Sequence, residues 1–119
     1  MTSTLRDICF DCADGRTVGR FWHEVLGGTL HDAEGGNACL DPEDGKGFRY
    51  WFVNVPEAKA VKNRVHIDIN MPHDAELDRL LSIGATKIDE IRGEDGTLWW
   101  TVMADVEGNE FCAFPPKSE

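Results

Sequence analysis

Two apolar periodicities run along this chain, one of two residues and one near 3.6, and they come in the same order twice. Over residues 5–12, Ile8, Phe10 and Cys12 fall on one face and Cys9 and Asp11 on the other, which predicts a strand. Val18, Phe21, Trp22, Val25 and Leu26 then follow the i, i+3, i+4, i+7, i+8 stripe of a helix. Asp14 is placed to cap its start and Gly27-Gly28 to end it. Short strands are predicted over 29–31, 37–40 and 48–55, with a turn over 41–45 between the last two.

After an aperiodic stretch over 56–63, the order repeats. Val65, Ile67 and Ile69 alternate with His66, Asp68 and Asn70. His73 or Asp74 is placed to cap a helix with the stripe Leu77, Leu80 and Leu81, and Gly84 ends it. Strands are predicted over 86–91, 98–104 and 110–114, the last two joined by the tight turn Asp105-Val106-Glu107-Gly108-Asn109.

A constant offset of 57 residues relates Cys9 to His66 and the Leu26-Gly27-Gly28 helix end to Ile83-Gly84-Ala85. An internal repeat of this size constrains the fold more than any single segment does. The reading is an α+β fold of two β-α-β-β-β units, residues 1–56 and 57–119, forming one domain. Its eight strands are expected to make a cupped, mostly antiparallel sheet with two helices, because one unit alone leaves sheet edges open.

Composition narrows the function classes. With 119 residues and 41% hydrophobic content the chain is long enough for one packed domain. Twenty-two acidic against 12 basic residues give a net charge of −10, which repels phosphate backbones and anionic lipid. Nucleic-acid and membrane partners are therefore not expected. The first residues lack the apolar run of a signal peptide, so the expected location is the cytoplasm. Disulfides are not expected there. Cys9-x-x-Cys12 is a poor chelate, because residues three apart on a strand point to opposite faces. Cys9 and Cys12 read more simply as small buried hydrophobes. Catalytic-triad, phosphate-loop and dinucleotide signatures are all missing from the sequence.

Three stretches carry a family resemblance: Ile8-Cys9-Phe10-Asp11-Cys12-Ala13-Asp14 leading to Phe21-Trp22, then Asn63-Arg64-Val65-His66-Ile67-Asp68-Ile69, and Trp100 through Cys112. Together they resemble the glyoxalase-like members of the vicinal-oxygen-chelate superfamily, which also holds fosfomycin-resistance proteins, extradiol dioxygenases and bleomycin-resistance proteins. The resemblance implies ligand positions on the first and last strands of each unit, here His66 and Glu110. In the first unit Cys9 stands opposite His66 in the repeat, and the counterpart of Glu110 falls at Trp51 or Val53.

The expected function is small-molecule binding in a cup lined by Cys9, Trp51, His66, Asp68 and Glu110, with no complete metal site, no cofactor and a homodimer as the allowed assembly. The alternative is a metal-dependent lyase, isomerase or dioxygenase, in which His66 and Glu110 hold a divalent metal or Glu110 acts as general base. Each candidate also has a plainer role. His66 could be a buried imidazole bonded to Glu110 or Asp68. Asp11 and Asp68 could bond backbone groups near the helix starts. At least one of Trp99 and Trp100 should face the core, and another tryptophan could line a pocket.

Overall fold

A computed structural model describes residues 1–116, and in it the two periodicities resolve into eight strands and two helices among the described residues. The first repeat gives β1 (Asp7–Cys12), α1 (Gly15–Leu26), β2 (Thr29–Asp32), β3 (Ala38–Asp41) and β4 (Arg49–Asn54). The second gives β5 (Ile67–Asn70), α2 (Glu76–Ser82), β6 (Thr86–Arg92), β7 (Leu98–Ala104) and β8 (Glu110–Phe114). The chain divides between Ala58 and Lys59 into two compact units, each with its own four-stranded sheet.

The two sheets share one topology. Their strand orders are β1-β4-β3-β2 and β5-β8-β7-β6. The strand before the helix pairs in parallel with the last strand of its unit, and the other pairings are antiparallel. The last strand of each unit thus sits between the first strand and the hairpins, with hydrogen-bonded neighbours on both sides.

In the first unit α1 lies against all four strands. Val18, Phe21 and Trp22 are buried with Ala38, Leu40 and Phe52. The Phe10 ring contacts both Trp22 and Phe52. The carboxylate of Asp14 accepts from the Thr17 N–H at 3.3 Å and the Thr17 hydroxyl at 2.9 Å, which makes it the N-cap. At Gly15 the helix meets β4 so closely that a Cβ would collide with the Phe52 carbonyl. In the second unit the core holds Met71, Leu80, Ala85, Met103, Phe111 and Ala113.

Several expectations change. β1 begins at Asp7 rather than residue 5, and β5 at Ile67 rather than 65. Val65 is 82% exposed, so the apparent alternation runs past the strand. β8 explains the limit: Ile67 pairs with Phe111, and the partner strand ends one residue earlier at Glu110. α2 starts at Glu76 with Ala75 in the cap position, not at His73 or Asp74. Its buried positions are Glu76 and Leu80, while Leu81 is exposed. Arg79 explains the buried acid, donating to both Glu76 oxygens at 2.7 and 2.8 Å. Trp99 is 53% exposed, and neither tryptophan of the pair is fully buried. Asp11 and Asp68 are exposed; Cys12 is buried as expected but Cys9 is exposed, because it lies on the opposite face of β1, and Cys39 and Cys112 are buried as well. Among the described residues no helix is long and apolar enough to cross a membrane.

Candidate functional site

Alternation along the second sheet assembles one face from four strands. On β8, Glu110, Cys112 and Phe114 share a face, while Phe111 and Ala113 point the other way into the core. On β7, Trp100 and Val102 face the same side as Cys112, and Thr101 and Met103 are buried opposite. The register places Asp68 beside Cys112, and His66 precedes it by two residues. These side chains, with Ile91 of β6 and Lys62 of the preceding segment, line a pocket of about 410 Å³. The Trp100 and Phe114 rings stack at 5.5 Å and form part of its apolar wall.

The polar groups fall into two sets. In the first, His66 Nε2 lies 3.2 Å from Asp68 Oδ1, with both side chains about half exposed. Cys112 stands beside Asp68 in the register, and burial, followed by the nearby Asp68 charge, pushes its pKa up. One donor atom from each of His66, Asp68 and Cys112 lies within 4.8 Å of the others, so this trio could hold a metal ion.

Glu110 belongs to the second set. Its carboxylate accepts from the Asn63 backbone N–H at 3.2 and 3.3 Å and from Lys59 Nζ at 3.1 Å. Burial pushes its pKa up, but hydrogen bonds from its own backbone N–H, from Asn63 and from Lys59 outweigh that and leave it below the ordinary carboxylate value. A carboxylate held in this way fastens the 59–63 segment and is a weak proton acceptor.

Of the five residues expected to bind ligand, His66, Asp68 and Glu110 line this pocket. Cys9 and Trp51 lie in the first unit, where they are register partners on β1 and β4. The two registers settle which residue corresponds to Glu110. Phe10 pairs with Phe52 as Ile67 pairs with Phe111, so Trp51 rather than Val53 is the counterpart of Glu110. Asp11 and Val53 then correspond to Asp68 and Cys112.

Sequence reasoning named Trp51, which is not among the residues lining this pocket, and missed Lys62, Ile91, Trp100, Val102, Cys112 and Phe114. Counting by twos from Glu110 would have reached Cys112 and Phe114. Lys62 lies in an aperiodic stretch and carried no such signal.

The model of the glyoxalase-like domain family matches residues 7–114. Among solved structures, a fosfomycin-resistance protein FosX from Listeria monocytogenes, complexed with Mn(II) and 1S,2S-dihydroxypropylphosphonic acid, is similar with a TM-score of 0.73 at 12% identity, over 98% of this chain and 93% of that one. A glyoxalase-related enzyme from Fulvimarina pelagi is similar with a TM-score of 0.67 at 16% identity, over 95% and 88%. A glyoxalase/bleomycin resistance protein/dioxygenase family enzyme from Burkholderia phytofirmans PsJN gives 0.66 at 17% identity, over 93% and 97%. At these identities the likeness is one of fold. No curated protein matches the chain.

Proposed function

The chain belongs to the glyoxalase-like domain family of the vicinal-oxygen-chelate superfamily, and from that premise we propose that it binds a small organic molecule in the pocket of its second unit. The observation that carries this reading is the pocket's composition: Trp100, Phe114, Ile91 and Val102 make an apolar wall, and His66, Asp68 and Lys62 supply polar groups beside it. A concave, mostly apolar site with a few placed polar groups is what a ligand site requires. The chemistry suits a small molecule with a flat or apolar body and a hydroxyl or acidic end. The reading keeps the cytoplasmic setting expected from the sequence. A homodimer is compatible with this reading and not needed for it.

The second reading, a metal-dependent lyase, isomerase or dioxygenase using His66 and Glu110, has less support. A hard ion such as Mn(II) favours oxygen donors. Glu110 is committed to Lys59 and Asn63, and the counterparts in the first unit are a thiol and an indole. This side-chain set does not fit the manganese of the FosX relative.

The test is a fragment screen by ligand-observed NMR on the full chain in chelator. Binders are expected whose signal is lost in Trp100→Ala. Binders unaffected by Trp100→Ala, or none at all, would contradict the reading.

A further inference from the structure

The Glu110 carboxylate is bonded to Lys59 and the Asn63 N–H, and beside it the same sheet face presents an imidazole nitrogen, a carboxylate oxygen and a sulfur. We propose that His66, Asp68 and Cys112 form a three-ligand site for a thiophilic divalent ion of the zinc type, opening on the pocket of the second unit. The site differs from the His66 and Glu110 pair implied by the family resemblance. It rests on the pocket reading only for what would reach the ion's open position, since the ion is held by the chain's own side chains.

Three observations converge. The first is geometric. The donor atoms lie within 4.8 Å of one another. Zinc–ligand distances of about 2.0–2.3 Å put donors of one tetrahedral ion roughly 3–4 Å apart. Closing the trio therefore needs movements on the order of an ångström. The exposed ends of His66 and Asp68 can supply them, while Cys112, on a strand paired on both sides, fixes the sulfur.

The second is the placement around Asp68. His66 Nε2 lies 3.2 Å from Asp68 Oδ1, and Asp68 is the register partner of Cys112. The donors thus already face one spot, and an ion bound there would displace the thiol proton.

The third comes from the repeat. The first unit carries Cys9, Asp11 and Val53 where the second carries His66, Asp68 and Cys112. The same sheet is built with valine at this place, so packing alone does not call for a thiol. Mixed nitrogen, oxygen and sulfur donors suit zinc, and three protein ligands leave a fourth position free.

The test uses the full chain, reduced and stripped with chelator. Zinc is titrated against a chromophoric chelator, and cobalt serves as its spectroscopic stand-in. The expected result is one equivalent of either ion, with the sulfur-to-cobalt charge-transfer absorption of a thiolate ligand. Losing a partner that merely orients a ligand costs about 10–100-fold in affinity. Cys112→Ser should therefore weaken zinc by at least about 100-fold and abolish the band, and Cys9→Ser and Cys39→Ser should retain both. Asp68→Ala, a change at an exposed side chain, should weaken zinc even if the Cys112 variant fails to fold. The proposal is overturned by a folded chain that binds neither ion saturably, by a cobalt spectrum lacking the thiolate band, or by affinity that survives Asp68→Ala and disappears in Glu110→Gln. Zinc binding is read without any organic ligand and the fragment screen is run in chelator, so either can fail alone.

Discussion

Trp22 and Glu110 illustrate how differently single side chains were readable. Trp22 lies on a long stripe with one solution: its ring is 1% exposed and meets Phe10 and Phe21. Trp22→Ala should cost about 3–5 kcal/mol, the range for a deleted buried aromatic. Urea unfolding measures it, and a loss below about 1 kcal/mol would mean that the stripe does not carry the core. Glu110 read as a metal ligand or base because its strand position matched a family pattern. What it touches depends on residues some fifty positions earlier, in a stretch without periodicity. Glu110→Ala should release the 59–63 segment, because Asn63 N–H donates to that carboxylate. Hydrogen exchange at the Asn63 amide should accelerate, and unchanged protection would show that the segment is held by something else.

At the scale of elements, length was set by partners more than by pattern. β7 and β8 occupy the predicted 98–104 and 110–114. Between them Asp105 accepts from the N–H groups of Glu107 and Asn109, both at 2.9 Å, which fixes the turn from within the sequence. β5 is shorter than its alternation because β8 begins at Glu110, which leaves Val65 without a strand residue opposite it. The start of α2 was missed because its cap position, Ala75, makes no side-chain cap bond, and its first turn instead holds the Glu76–Arg79 ion pair. Arg79's hydrogen bonds to Glu76, opposed by burial, hold the Glu76 carboxyl below its ordinary value of 4.5. A depressed carboxyl stabilises the fold above its unfolded pKa, and the contribution is lost as pH falls through the folded value. Stability should therefore drop more steeply below about pH 4.5 in the native chain than in Glu76→Gln. Thermal melts across that range provide the measurement, and parallel slopes would refute the assignment.

For the whole molecule, each unit has its own sheet and helix, and neither is well closed by itself. β1 and β2 are edges of the first sheet, and β5 and β6 of the second. Chains of about 60 residues bury only about 60% of their surface and are marginal alone. The isolated fragments 1–58 and 59–119 should show no cooperative thermal transition by circular dichroism, and a cooperative melt of either would contradict this.

The sequence by itself determined the two repeats, the element types, the α1 stripe and the equivalence of Cys9 with His66, because periodicity and offset are properties that the chain carries everywhere; the counterpart of Glu110 needed the strand registers. It also placed His66, Asp68 and Glu110 on one side of their strands. Tertiary structure alone decided which of them share chemistry. Pairing of β5 with β8 set Asp68 beside Cys112, and the 59–63 segment closed over Glu110. The pairing of β5 with β8 and the course of the aperiodic 59–63 segment arise from contacts between residues more than forty positions apart, which the alternation of one strand does not specify.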